Sequence, residues 1–471
     1  MKQIIIACLI ILLVACLPAA AQLRLPSILA PGMVLQQNDS VALWGWGGPG
    51  AKVTVNTSWD NHEYSTIVNS GAAWKLKVKT PAAGGPYTIN IKNGNTIVLD
   101  NVLIGEVWVC SGQSNMEMNY NWGIKTMAPE IPTSYNNNIR FFQLPKATAA
   151  YPQDDIRAEW TVCDSNTVKT FSTVGYFFGR KLQQRLNIPI GLINASWGGT
   201  PTEVWSPKEA IENNEVLKTS AEKIQPYAGW PVKPGLTYNA MIAPLINFSI
   251  AGAIWYQGEG NTGNHTTYQQ AFTTMIEEWR KAWKKEFPFY FVQIAPFRYG
   301  NNNIGALIQE QQSKAMSHPK VGMVVTTDLI DTITDIHPKK KKEVGLRLAG
   351  WALAETYQQP GILYKSPAYK NAEAKAGKMV INFDNAPNGL IAKDKAITGF
   401  YISGANEAWY PAEAKLEKDK ITVWSKEVKE PAFVRYGFGN TLIGNVFSKE
   451  GLPVIPFRTD NWVVDQSAVK W

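Results

Sequence analysis

Five near-continuous apolar runs constrain this chain more than any other feature: VLIGEVWVC (102–110), PIGLINAS (189–196), AGAIWYQ (251–257), FYFVQIA (289–295) and VGMVVTTD (321–328). A strand with one wet face alternates apolar and polar residues. These runs do not alternate, so they read as strands buried on both faces, the mark of a parallel sheet. Between them lie helical patterns. In 268–287 the residues Tyr268, Phe272, Met275, Ile276, Trp279, Trp283 and Phe287 recur at steps of three and four, leaving a Lys/Glu face to solvent. Further helices are expected over 174–186 and 340–357. Strands alternating with helices give an α/β layer.

The flanks read differently. Residues 22–100 hold short β-rich runs such as VALWGWG, AKVTVNT and AWKLKVKT, separated by GGPG, NSG and PAAGG. They carry no helical period, so a small β-sandwich is expected there. From 359 to 471 the chain returns to β character, with KMVINF, ITGFYIS and KITVWS. The α/β layer therefore occupies 101–358. Ahead of these units, Lys2, the apolar run from Ile4 to Leu17 and Ala19-Ala20-Ala21 read as a leader over 1–21 cut after Ala21. That implies export to a periplasm or the exterior. Leu13-Val14-Ala15-Cys16 offers a lipid anchor on Cys16 as the alternative.

Composition narrows the function classes. Hydrophobic residues make up 45% of the 471 and charged residues 18%, which excludes a disordered chain, a collagen-like fibre or a coiled coil. The net charge, 46 − 38 = +8, comes without a basic arm, so nucleic acid is disfavoured as a partner. The run Lys339 to Lys342 reads as a solvated helix start. Beyond the leader only Cys110 and Cys163 remain, and Cys110 ends an apolar strand, as a buried thiol would. With no CxxC pair and four His, neither a metal site nor a cofactor is expected.

The chemistry-bearing residues fall just after the strands. SGQSNM (111–116), SWGGTP (196–201), QGEGN (257–261) and 328–337 are polar loops at four strand ends. In an open parallel sheet, ligands bind beyond the carboxyl ends of the strands. Ser114 follows a glycine turn and is either a helix cap, with Glu117 completing a capping box, or a nucleophile. His337, in DTITDIHP, favours the second: Ser114, His337 and Asp335 would form a nucleophile, base and orienting acid for acyl transfer. His265 is a rival base. Ser114 N–H, Gly198 or Gly199 N–H, and the amide of Gln257 or Asn261 are candidate oxyanion donors. Gln113, Asn115, Trp197 and Glu259 share these loops as candidate substrate contacts; Glu259 could also be a base, but between Gly258 and Gly260 it reads first as a loop brace. Aromatic faces suit sugar rings, and Trp122, Trp197, Trp205 and Trp255 lie in or near the loops.

Taken in order, GEVWVCSGQSNMEM, ASWGGTPTEVW, WYQGEGN and DIHPKKKKEVGLRLA resemble the sialate O-acetylesterase-like branch of the SGNH/GDSL hydrolases. APGMVLQQ near the start, and VRYGF and GLPVIPFRTD near the end, resemble that family's framing segments. The resemblance implies a flavodoxin-like SGNH core flanked by β-rich domains, and removal of O-acetyl groups from a sugar or glycan without a metal. It also implies Ser114 as nucleophile, His337 as base, and an oxyanion hole completed by the SWGG glycines and a polar residue of QGEGN. The wider family places Asp three residues before His. Thr334 stands there, so Asp335 is the expected acid and Asp331 the reserve. A sialate 9-O-acetylesterase is the first reading and an esterase of acetylated xylan or another polysaccharide the second. A carbohydrate-binding protein without turnover is the alternative from another class.

Overall fold

The structure, a computed structural model, describes residues 22–300 and 303–464. The expected leader and Cys16 lie outside the described residues. At the centre is a sheet of β1 (Asn95–Gly112), β2 (Asn136–Gln143), β3 (Trp160–Cys163), β4 (Ile190–Ser196), β5 (Gly252–Tyr256), β6 (Phe289–Val292) and β7 (Val321–Val324). The spatial order is β7-β6-β5-β1-β4-β2-β3. All neighbours run parallel except the β2–β3 pair at one edge. All five expected runs are core strands; β2 and β3 are additional. NNNIRFFQ and WTVC are too short and too polar to stand out as buried runs.

Both faces of the sheet are covered, which is why its strands do not alternate. Along β1, Val107 and Val109 join one apolar cluster while Trp108 and Cys110 join the other. Along β5, Ala253 and Trp255 face the first cluster and Ile254 and Tyr256 the second. Helix α3 (Tyr268–Trp283) lays Phe272, Met275, Ile276 and Trp279 on the first face. Helices α2 (Thr173–Leu186) and α5 (Lys341–Trp351) cover the second with Val174, Phe178, Leu182, Val344 and Leu348. The expected helices are thus present, although α3 stops at Lys284 in a left-handed C-cap, and Phe287 is buried beyond its end. Trp205 and Trp255 are fully buried packing, not loop aromatics. Cys110 and Cys163 are free and buried; burial pushes both thiols up, Cys163 to about 12.

Strand β1 runs on through two layers. Its first half pairs antiparallel with Gly84–Asn93 and parallel with Val34–Gln36, and its second half is the central core strand. The N-terminal strands therefore share one sheet with the core, and position 100 falls inside a strand. The APGMVLQQ segment ties this join: Gln36 Oε1 accepts from Val107 N at 3.0 Å, and Gln37 Nε2 donates to Glu106 Oε1 at 2.7 Å. At the other end, two four-stranded antiparallel sheets enclose Met379, Ile381, Ile402, Ile421, Val423 and Val434. Among the described residues no helix is long and apolar enough to cross a membrane.

The two late framing segments meet in this C-terminal sandwich. Arg435 of VRYGF and Asp460 of FRTD form a buried bidentate pair, both bonds 2.8 Å. Breaking a buried pair leaves an uncompensated charge, typically costing about 3–5 kcal/mol. Arg458 also reaches Asp460, at 3.4 Å, and softens the loss. Arg435→Ala should therefore destabilise by about 3 kcal/mol. The expected result is a lowered Tm by circular dichroism, with an unchanged far-UV spectrum below the transition.

Candidate active site

The site begins with a glycine. Gly112 ends β1 at φ +130°, and a Cβ built on it would lie 2.3 Å from the carbonyl oxygen of Tyr256. Only a residue without a side chain lets the ends of β1 and β5 approach this closely. The chain then turns, Gln113 N donates to Tyr256 O at 2.9 Å, and the one-turn helix α1 (Ser114–Glu117) opens. Gln113, not Ser114, is the N-cap residue. Glu117 accepts no capping bond from the Gln113 N–H; its carboxylate accepts from Gly198 N at 2.7 Å, tying α1 to the loop after β4. The cap reading of Ser114 is thereby removed.

Ser114 Oγ lies 2.8 Å from His337 Nε2. This contact spans the crest, because β7 is separated from β1 by two strands. The loop after β7 is pinned in stages. Arg347 of α5 forks onto Asp328 with bonds of 2.8 and 2.7 Å, Asp331 accepts from Lys339 N at 3.0 Å, and Asp335 Oδ1 accepts from His337 N at 2.9 Å. Asp335 is 3.7 Å from His337 Nδ1, so its hydrogen bond goes to the histidine backbone and only its charge faces the ring. Burial alone would raise the Asp335 carboxyl, but the His337 N–H and Lys339 hold it below the usual carboxylate range. Asp331 makes a loop bond, and Thr334 bonds Thr332. The rival His265 turns its Nδ1 to Thr262 O at 3.3 Å.

The expected side-chain oxyanion donors are corrected by their partners. Gln257 is fully buried, donates to Asn261 Oδ1 (2.7 Å) and Thr200 O (3.2 Å), and accepts from Thr202 Oγ1 (2.7 Å). Asn261 donates to Glu203 Oε2 at 2.8 Å. Both amides are consumed in tying the second and third loops together. Gly198 N–H is likewise taken by Glu117. Ser114 N–H and Gly199 N–H have no acceptor among the described residues. Gln113 is held by its oxygen, which accepts from Gly258 N (3.3 Å) and Gly260 N (3.0 Å), leaving Nε2 as the amide's other end.

Two expected substrate contacts face inward instead. Asn115 is fully buried and donates to Glu259 Oε1 at 2.6 Å and to Ile336 O at 3.2 Å, while its Oδ1 accepts from Lys341 Nζ. The bracing reading of Glu259 therefore holds, and Asn115 joins it. Lys341 was hidden in the basic run: Lys342 is solvated and pairs with Glu130, but Lys341 is completely buried. Helical phase was the available signal, since 341 shares a stripe with Val344, Leu348 and Trp351. Trp197 is half-buried against the core, its backbone N–H donating to Gly112 O at 3.0 Å. Among the described residues no group of three or more His, Cys, Asp or Glu is arranged to hold a metal ion.

Comparison with known proteins agrees with this layout. The family described as carbohydrate esterase, sialic acid-specific acetylesterase, matches residues 104–359. The chain belongs to this family of carbohydrate esterases. The sialate O-acetylesterase of Homo sapiens is 30% identical over 397 residues, covering 76% of each chain. That of Mus musculus is 28% identical over 454 residues, covering 83% of this chain and 84% of the other. The crystal structure of a carbohydrate acetylesterase from Xanthomonas citri superposes with a TM-score of 0.86 at 33% identity, covering 94% of this chain and all of that one. The matched region of the carbohydrate esterase family runs from the second half of β1 to just past the π-helical turn (Ala352–Thr356) after α5, and so contains every loop of the crest.

The histidine is set up to accept a proton. Burial disfavours the imidazolium, Lys341 and Lys339 repel it, and Asp335 attracts it; the balance lies below the ordinary histidine value of 6.5. A histidine acting as a base must be neutral, so an activity that uses His337 in this way is lost as pH falls through this lowered value, not through 6.5. A pH profile of kcat/KM on 4-nitrophenyl acetate should have an acid limb whose midpoint lies below 6.5.

Proposed function

We propose that this carbohydrate esterase removes O-acetyl groups from a sialic acid-bearing glycan, with Ser114 as nucleophile and His337 as its base. The observation that carries the reading is the 2.8 Å contact between Ser114 Oγ and His337 Nε2 at the turn after the central strand. The neutral imidazole takes the Oγ proton as Oγ attacks the acetyl carbonyl. The oxyanion is met by the N–H groups of Ser114 and Gly199, with Gln113 Nε2 in the part first given to Gln257 or Asn261. His337 then returns the proton to the departing sugar hydroxyl. Water, deprotonated by the same ring, attacks the acetyl-serine; Ser114 Oγ leaves, takes that proton back from His337, and acetate is released. Asp335 stabilises the transient imidazolium by its charge and fixes the His337 backbone. The choice of sialate over other acetylated sugars rests on the family and on the names of its mammalian members.

Aromatic surface at the site supports a sugar. Trp122 is 42% exposed, its ring centroid 6.3 Å from that of His337. A Cβ on Gly198 would lie 3.3 Å from Ser114 Cβ and 3.4 Å from Trp122, so one glycine touches both. Beyond it, Trp230 lies over Gly199, and Tyr227 stacks on Trp230 at 4.2 Å. Exposed aromatic rings beside a nucleophile offer apolar area to the C–H face of a sugar ring. Export belongs to the same proposal, on the strength of the leader's sequence alone.

Acetate release tests the reading. Ser114→Ala and His337→Ala should each lower kcat by about 10³-fold or more on 4-nitrophenyl acetate and on an O-acetylated sialic acid. Wild-type rates in either variant would overturn it. Trp122→Ala should raise KM for the acetylated sugar several-fold and leave the KM for 4-nitrophenyl acetate nearly unchanged, read by steady-state kinetics on the two substrates.

A further inference from the structure

Behind the nucleophile lies a buried polar group that the acyl-transfer steps do not use. Asn115 follows Ser114 directly, and its side-chain amide is bridged between two oppositely charged partners. Lys341 Nζ donates to Asn115 Oδ1, and Asn115 Nδ2 donates to Glu259 Oε1 at 2.6 Å. An ammonium can only donate and a carboxylate only accept, so the amide has one possible orientation. In that orientation Nδ2 also reaches the carbonyl of Ile336, the residue before His337, at 3.2 Å. Lys341 Nζ lies 4.9 Å from the Tyr256 ring centroid, over the ring, which closes the far side of the ammonium with a favourable cation–π face. Two helices and two loops thus meet on a single amide: α1, the loop after β5, the loop before α5, and α5 itself.

Resting on the serine-esterase reading, we propose that Lys341 is a positioning residue of the reaction, clamping the His337 loop to the Ser114 turn through Asn115. The observations exclude a mere surface charge. Lys341 and Asn115 are fully buried, and Glu259 is 8% exposed. A buried ammonium costs several kcal/mol unless it is paired and bonded, so a lysine is retained here against a desolvation penalty. Burial pushes its ammonium down to about 7, against the pull of Glu259. The same burial raises the Glu259 carboxyl, with Asn115 and Lys341 opposing it. The charged groups facing Lys341 are Glu259, Asp335, Asp331 and Lys339, and those facing His337 are Asp335, Lys339 and Lys341.

Two consequences separate positioning from a purely structural role. Loss of the clamp lets the Ser114–His337 spacing relax, and a misplacement of about 1 Å can cost about 10²-fold in rate. Removing the positive charge also removes one repulsion on the imidazolium, so the His337 value rises and the acid limb moves to higher pH. Lys341→Met keeps the length of the side chain and removes charge and donor; Glu259→Gln in the same chain removes the carboxylate left unpaired.

The experiment measures kcat, KM and the pH profile on 4-nitrophenyl acetate for the wild type, Ser114→Ala, Lys341→Met and Lys341→Met/Glu259→Gln. The double variant should recover Tm relative to Lys341→Met. It should keep KM within about twofold, lose kcat by tens-fold, and show an acid limb displaced upward. A double variant with wild-type kcat and an unmoved limb, beside an inactive Ser114→Ala, overturns the clamp and leaves the esterase reading standing. Full activity in Ser114→Ala overturns both.

Discussion

The close approach of two backbones at Gly112 is the constraint from which the site follows. Gly112 stands against the Tyr256 carbonyl with no room for a Cβ, and the turn it permits is locked by the bond from Gln113 N to that same carbonyl. This sets Ser114 at the top of β1, an 18-residue strand paired on both sides by β4 and β5. Everything reactive is then placed relative to a strand that is itself immobilised twice, by the core below and by the N-terminal sheet into which it runs. A nucleophile on a flank strand would have only one neighbour to fix it. The switch in strand order at β1, with β4 on one side and β5 on the other, opens the crevice at this point.

The loops that rise around Ser114 are joined by side chains more than by backbone. Glu117 holds Gly198, Gln113 holds Gly258 and Gly260, Gln257 and Asn261 hold Thr200 and Thr202, and Asn115 holds Glu259 and Ile336. Buried amides and carboxylates without partners would cost about 1–3 kcal/mol each, so a crest built this way is stable only when nearly all of them are satisfied together. That cooperative requirement makes the crest rigid. In the proposed mechanism this rigidity has a use, because donors that are fixed in advance need not reorganise as charge develops on the substrate oxygen.

This division between backbone and side chain also explains what could be read from the sequence. The sheet was legible because burial on both faces removes alternation, as in Val107 to Cys110. The helices were legible because a period of three and four survives in Tyr268 to Trp279. Ser114 and His337 were legible because a glycine turn and a scarce histidine stand at strand ends. The direction of an amide was not: Gln257, Asn261, Gln113 and Asn115 have the same donors and acceptors, and only the positions of Thr202, Glu203, Gly260 and Glu259 decide which are consumed. The contact Asp335 makes was not legible for a similar reason. Spacing places Asp335 near His337, but a residue two positions ahead reaches the backbone N–H of its neighbour more easily than the ring. Lys341 was masked by its own neighbours, since four consecutive lysines read as a solvated face although a helix turns one of every three or four inward.

The C-terminal sandwich has a stake in the same crest. Arg458 pairs with Glu310 of helix α4 (Ile304–Ala315) at 2.7 Å while also reaching Asp460 at 3.4 Å. Glu310 sits between Gln309 and Gln312. Gln309 Nε2 holds the Ile294 carbonyl at 2.9 Å, and Gln312 Nε2 holds the Gln257 carbonyl at 3.0 Å. A helix carrying two such donors must keep its rotation about its own axis, because a turn of one residue, roughly 100°, would withdraw both. An arginine fork on Glu310 fixes that rotation from outside with planar, bidentate geometry that a lysine could not reproduce. The VRYGF and FRTD segments, distant from the crest in sequence, thereby support the backbone on which the third loop begins.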